Sequence, residues 1–516
     1  MQLPKRQSGI LLPLFSLPSK EGIGTLRDGL LFLDILKKTK QTLWQILPVH
    51  PTNPTKDYSP FQSSALFAGN PMLISLESLV GVGDLEEIYY QDFVRKCQHL
   101  AQGKIDYDFL WEAKLGFDNT KNTPLKIAFR KFLTNSERIS LFKQFEHKNK
   151  FWLEAYAQFF ALKKNYGFAK VWSDWKQEDK LRQEKFSEKI NKADLYFFKY
   201  LQFVFDEQFK ALRQKAKANK IKLIGDLAIY PGFDSVDVWA NQELFQLLEN
   251  GEMEWCAAVP PDYFSPTGQK WGNPLYKWGE VGNVEIHKKI FLWWEQRIKR
   301  EYEYFDWLKF DHFRGVIAYG RLNPHEKDAI NTHWIYGPGK QFFTYLEDKL
   351  NKTLCLIAED LGLITDNVRQ LKEELNMPGM KIFLFADFTN PHDKYLPANV
   401  EENCVFYTGT HDNETLRQKV EEVIDENQKN ALFNFLNNSS QKDWHLKTIE
   451  LISESSAKWI IFPMQDLLNL GRQARQNIPG SEKNNWRWQL TANDLETYQK
   501  KVGINLKKIT EKTKRG

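Results

Sequence analysis

The sequence predicts a (β/α)8 TIM barrel with large insertions in its βα loops. Three observations point there. Eight short β-rich runs recur along the 516 residues, and several are nearly continuously apolar, as strands covered on both faces should be. Each run turns abruptly polar at its C-terminal end, and segments with helical spacing of apolar residues lie between them.

The runs cover residues 8–15, 42–49, 221–229, 307–313, 353–360, 380–385, 404–410 and 458–464. Their uneven spacing marks the insertions. Residues 51–215 read as a mainly helical insertion between the second and third strands, with 148–164 as its clearest helix. Residues 230–300 read as a loop-rich insertion between the third and fourth strands, dense in Gly, Pro and aromatics over 259–278. With no internal repeat and no low-complexity linker, one elaborated barrel spanning 1–516 is favoured over separate domains.

Composition limits the function classes. With 42% hydrophobic and 27% charged residues, and no apolar stretch near the roughly 18 residues a membrane span needs, the chain reads as a soluble globular protein with no membrane partner. Net charge is +5, but basic and acidic residues are interleaved, so no nucleic-acid partner is expected. Lys5 and Arg6 before an apolar run resemble a weak secretory signal, yet Pro13, Ser16 and Pro18 break it. Cys97, Cys256, Cys355 and Cys404 are widely spaced, which fits reduced thiols in a cytoplasm. No P-loop, dinucleotide, zinc-protease or calcium-loop motif is present, so neither cofactor nor metal is expected.

In such a barrel the reacting groups sit where strands end. Asp311 follows Leu308-Lys309-Phe310, Glu359 follows Leu356-Ile357-Ala358, and Asp412 follows Tyr407-Thr408-Gly409-Thr410-His411. Any one of them alone also reads as a cap on the following helix. Three at the ends of the fourth, fifth and seventh strands would converge on one mouth. Glycosidic cleavage needs that set: a nucleophile, a proton donor and negative charge facing an oxocarbenium-like centre.

Ordered segments strengthen this reading: SGILLPLFSLPSKEGIGTL, SPFQSSALFAGNPMLISLE, PPDYFSPTGQKWGNPLY, DHFRG, AEDLG, TGTHDNET and NWRWQL. Through them the chain resembles the 4-α-glucanotransferases (amylomaltases, disproportionating enzymes), glycoside hydrolase family 77 of the α-amylase clan. The resemblance implies a retaining enzyme that moves α-1,4-glucan segments between malto-oligosaccharides and related glucans. It makes Asp311 the nucleophile, Glu359 the general acid/base and Asp412 the transition-state stabiliser. The two reacting carboxyls would then lie about 5–5.5 Å apart. The alternative is an α-glucan hydrolase using the same three acids.

The resemblance also assigns sugar contacts to Ser59, to Asp262, Tyr263, Phe264 and Trp271 of a flap, to His312, Arg314 and His411 beside the acids, and to Asn477 in a late loop. Structural hydrogen bonding at the rim is the competing reading for His312, Arg314 and His411, and turn formation for Asn477. Asp226 and Asp237 stay open between a structural role and direct contact. Two departures stand out. Lys309 replaces the Arg usual two residues before the nucleophile, which keeps the charge and loses the planar fork. Phe61 stands where Tyr is usual.

Overall fold

The computed structural model describes residues 2–117, 122–182, 190–261, 265–279, 284–362, 364–436 and 444–516. Eight parallel strands form its centre: β1 (Gln7–Leu11), β2 (Leu43–Gln45), β3 (Lys222–Leu227), β4 (Trp307–Phe310), β5 (Leu356–Ala358), β6 (Gly379–Ile382), β7 (Cys404–Tyr407) and β8 (Trp459–Pro463). All eight fall within or against the runs read from sequence. Their order is β6-β7-β8-β1-β2-β3-β4-β5. The amide of Ala358 donates to Pro378 O at 2.8 Å between β5 and β6, which closes the sheet into a barrel.

Apolar residues on both faces explain why the strands stay central; β1, β7 and β8 are buried along their whole length. Layers of inward side chains fill the interior. Trp307 meets Trp459 edge-on at 4.9 Å, with Lys222 Nζ 5.3 Å over Trp459. Elsewhere in the interior, Tyr407 donates across the barrel to Gln45 Oε1 at 2.8 Å. Toward the C-terminal mouth, Asp226 of β3 and Lys309 of β4 pair as buried opposite charges, Nζ to Oδ2 3.2 Å.

Helices Leu26–Lys38, Lys192–Ala218, Val284–Tyr304, Lys340–Leu350, Asp366–Glu374, Trp444–Glu454 and Gly503–Lys512 lie between or after strands. Leu26–Lys38 starts at a capping box in which the Thr25 hydroxyl takes the Asp28 amide and the Asp28 carboxylate takes the Thr25 amide. The link from β6 to β7 differs from the helical spacing expected of every unit. It holds one 3-10 turn, Phe383–Phe385, and no α-helix. Three successive Asx turns account for this: Asp387, Asn390 and Asp393 accept from the amides of Thr389, His392 and Tyr395. Pro391 and Pro397 bar a helix across the same stretch.

Between β2 and β3, helices such as Pro124–Phe132, Ser136–Lys148 and Lys150–Tyr166 pack against Lys192–Ala218 through a dense set of aromatic contacts, among them Phe132–Tyr200 at 4.7 Å. Residues 230–300 contain more regular structure than the loop-rich reading implies. They hold the strands Cys256–Val259 and Gln269–Pro274 and most of the 21-residue helix Val284–Tyr304. Those two strands join Ala318–Leu322 and His333–Tyr336, which follow β4, in an antiparallel sheet of order 269–274, 256–259, 318–322, 333–336. This small sheet stands at the C-terminal mouth of the barrel. Among the described residues no helix is long and apolar enough to cross a membrane.

Candidate active site

Register brings the two principal acids together. In β3, β4 and β5 the paired positions include Asp226↔Lys309, Lys309↔Ile357 and Phe310↔Ala358. The next step along the pair places Asp311 beside Glu359, although 47 residues separate them in sequence. Backbone bonds hold both in place: the Asp311 amide donates to Leu227 O at 3.1 Å, and the Glu359 amide to Phe310 O at 3.2 Å. Period-2 alternation sends Lys309 and Asp311 to one face, the barrel interior.

Lys309 is the hub of this cluster. Its Nζ lies 2.9 Å from Asp311 Oδ1, 3.2 Å from Asp226 Oδ2 and 3.3 Å from Glu359 Oε2. Asp311 and Glu359 are also hydrogen-bonded to each other through their side chains. Two oxygens 2.9 and 3.3 Å from one nitrogen are at most about 6.2 Å apart, shorter than the roughly 6.5–9.5 Å between the carboxyls of enzymes that activate water between them. The backbone of His312 takes the left-handed conformation, φ 49°, uncommon for a residue with a side chain. In that conformation its amide points at Glu359 Oε2, 2.9 Å away.

Burial and charge act together on these groups. Burial works against the charge of Lys309, but Asp226, Glu359 and Asp311 outweigh it and hold the ammonium protonated well above the usual lysine range. Burial, with the charges of Glu359 and Asp226, pushes Asp311 well above the usual carboxylate range despite Lys309. For Glu359 burial pushes upward too; Lys309, the bond from Asp311 and the His312 amide prevail and lower it to about 2. Of the two, Asp311 is therefore the carboxyl pushed toward its protonated form and Glu359 the one held toward its ionised form. Asp226 is raised to about 7, chiefly by burial. Burial lowers His312 to about 4 and also lowers His411, so both imidazoles are neutral near pH 7.

Asp412 comes from the turn after β7, where the Thr410 amide donates to Asn413 Oδ1 at 2.8 Å. The Asn477 side-chain amide donates to Asp412 Oδ1 at 2.6 Å, and His411 Nε2 lies 3.3 Å from Asp412 Oδ2. Arg475 fixes the same corner, reaching Glu414 Oε1 at 2.8 Å, Asp412 O at 3.1 Å and Asn477 O at 2.8 Å. Phe61 stacks on His411 at 5.2 Å and 14°, with Lys309 Nζ 5.8 Å from its ring centroid. The Tyr-to-Phe departure thus falls in the wall beside the acids.

Above these groups opens a cleft of about 1060 Å³. Asp311, Glu359 and Asp412 line it, as do Ser59, Trp271, His312, Arg314, His411 and Asn477; Lys309 lies beneath its floor. Trp271, on the small sheet, meets His312 edge-on at 4.6 Å, and Gln62 donates to Trp271 O at 2.8 Å. Arg314 lays its guanidinium 3.7 Å from the ring centroid of Trp334. The flap residues Asp262, Tyr263 and Phe264 lie outside the described residues. Of the two acids left open, Asp226 sits under Lys309, whereas Asp237 is buried away from the cleft and accepts the Leu66 amide at 2.8 Å. Trp334 and Arg475 escaped the sequence reading. The element Gly-Arg-x-Ala-Arg-x-Asn carried a signal for Arg475; the short run His333–Tyr336 carried none for Trp334.

The family model described as 4-alpha-glucanotransferase matches residues 12–494. A 4-alpha-glucanotransferase of Aquifex aeolicus is 39% identical over 492 residues, covering 94% of this chain and 95% of that protein. One from Thermus thermophilus is 35% identical over 531 residues, covering both chains completely. Among solved structures, the amylomaltase from Streptococcus agalactiae in complex with acarbose superposes with a TM-score of 0.91 at 31% identity, covering 99% of this chain and 100% of that one.

Proposed function

The chain belongs to the 4-alpha-glucanotransferase family, glycoside hydrolase family 77, and from that premise we propose that Asp311 is its nucleophile, Glu359 its general acid/base and Asp412 its transition-state stabiliser. The activity is glucan transfer, in which an α-1,4-glucan segment leaves a donor and joins the 4-hydroxyl of an acceptor. Malto-oligosaccharides are the proposed donors and acceptors. The observation that carries the residue roles is the contact of Asp311 and Glu359 with each other and with one buried ammonium.

In the first step Glu359 gives its proton to the glycosidic oxygen while Asp311 attacks the anomeric carbon. The carbon–oxygen bond breaks, a glycosyl-Asp311 ester forms, and the donor remnant leaves as an alcohol. In the second step Glu359, now a carboxylate, takes the proton of the acceptor 4-hydroxyl; that oxygen attacks the same carbon and displaces Asp311. Two inversions retain the α configuration. Asp412, facing the ring, stabilises the positive charge that develops in both transition states.

This sequence needs a proton on Glu359, whereas burial and the neighbouring acids push Asp311 toward the protonated form and Lys309 and the His312 amide favour ionised Glu359. The two carboxyls are hydrogen-bonded, so the proton has a short path. A sugar seated between them gives Glu359 an ether oxygen to donate to and brings a carbon developing positive charge to Asp311. Both contacts favour the reactive arrangement. Lys309, in contact with Asp226, Asp311 and Glu359, offsets negative charge beneath the reacting pair throughout.

The four thiols, none of them paired, support a reducing, cytoplasmic setting. Incubation of the purified protein with maltotriose tests the activity. The expected product is glucose together with a ladder of longer oligosaccharides. Shrinkage to short sugars alone, or unchanged maltotriose, would overturn the reading.

A further inference from the structure

The small sheet ends on the strand His333–Tyr336, which among the described residues is paired on one side only, with Ala318–Leu322. Proteins guard such an edge with charge, proline or a covering segment, because its free N–H and C=O groups invite pairing. Here the edge carries two large aromatics, Trp334 at 36% and Tyr336 at 79% exposed. Placed two apart, they project from the same face of the strand, about 7 Å from each other along it.

Directly across from them stand the two smallest residue types: Gly320 faces Trp334 and Ala318 faces Tyr336. Gly320 cannot be enlarged, since a Cβ there would fall 2.1 Å from Ala258 O. The neighbouring strand therefore leaves the flanks of both rings low. Trp334 also belongs to the wall of the cleft, and the Arg314 guanidinium stacked on it restrains its ring. The edge is thus continuous with the cavity that holds the acids.

We propose that Trp334 and Tyr336 form an aromatic track on which glucosyl units remote from the scissile bond stack as the glucan leaves the cleft, so that this edge sets the preference for long chains over short ones. Sugar rings present apolar faces beside hydroxyls, and flat aromatic side chains with a polar handle match both. The proposal rests on the glucan-transfer reading, and its occupant is the substrate itself because Trp334 already lines the substrate cavity.

The test compares wild type with Trp334→Ala, Tyr336→Ala and Tyr336→Phe. The ratio of KM for amylose to KM for maltotriose should rise about fivefold in each alanine variant and return most of the way in Tyr336→Phe. Electrophoresis through native gels containing amylose should retard wild type and retard both alanine variants less. Equal loss on both substrates, or undiminished retardation, would overturn the proposal, as would an alanine variant that changes the native mass and so marks the edge as a subunit contact. If wild type fails to disproportionate maltotriose yet is retarded in a Trp334- and Tyr336-dependent way, the transfer reading fails and the track stands.

Discussion

The ammonium of Lys309 lies 2.9 Å from Asp311 Oδ1, two residues further along the same chain, and is buried almost completely while the carboxylate reaches the cleft. The same ammonium touches Asp226 and Glu359, so one cation serves three acids. Removing it leaves buried negative charge without a counter-ion, a loss of about 3–5 kcal/mol in comparable pairs. Lys309→Met should therefore lower thermal stability and shift the acid limb of the kcat/KM profile to higher pH, because the carboxyls lose the charge that favours their ionised forms. Lys309→Arg keeps the charge and adds a fork able to hold two oxygens, so it should remain active with altered turnover and pH profile. An Arg variant matching wild type in both would show that the lysine head group has no special role.

Asp226 makes a prediction about stability rather than rate. Burial raises it to about 7 from an ordinary 3.8. Between those values the folded protein holds a proton that the unfolded chain has released, so this residue's contribution to stability falls as pH rises through that window. His312 works in the opposite sense. Lowered to about 4 by burial, it binds fewer protons when folded, and its contribution is lost as pH falls from 6.5 toward 4. Asp226→Asn separates the two. The difference in melting temperature, variant minus wild type, should grow from pH 4 to about pH 7 and level off above it. Parallel curves would exclude a titrating Asp226.

Much of this was legible in the sequence, for identifiable reasons. Strands buried on both faces must be apolar throughout, so β1 to β8 announced themselves, and polar residues at their ends marked the mouth. Less legible was anything set by register. That Asp311 meets Glu359 depends on the pairing of Phe310 with Ala358, which no local pattern encodes. Asp226 could not be assigned because an acid ending a strand looks the same whether it caps a helix or anchors a lysine. The missing helix between β6 and β7 was overlooked because Asx turns depend on single side-chain oxygens rather than on periodicity. Trp334 lies on a four-residue edge strand too short to show alternation.

The roles proposed for Asp311 and Glu359 can be told apart chemically. Asp311→Asn removes the proposed nucleophile and should cost roughly 10⁴-fold or more in turnover on any donor. Glu359→Gln removes the proposed acid and should cost about 10²–10⁴-fold on maltotriose. An α-glycosyl fluoride leaves without protonation, so Glu359→Gln should regain formation of the glycosyl-enzyme with that donor, detectable as a covalent mass increment on intact protein, whereas Asp311→Asn should not. Labelling of both variants, or of neither, would contradict the assigned roles.

Asn477 tests whether orientation of the third acid matters. Its amide gives Asp412 Oδ1 a 2.6 Å hydrogen bond, and Arg475 holds the Asn477 carbonyl at 2.8 Å, so the donor is itself positioned. A bond to a charged group is worth about 1.5–3 kcal/mol. If that bond fixes Asp412 toward the developing positive charge, Asn477→Ala should lower kcat by roughly 10–100-fold while KM for maltotriose changes far less. The residue is partly exposed, so the melting temperature should hardly move. Asn477→Asp places a second carboxylate against the first and should be slower still near neutral pH, recovering as pH falls and one of the pair takes up a proton. A loss confined to KM, or an Asp variant as fast as the Ala variant at every pH, would mean that Asn477 serves the loop and not Asp412.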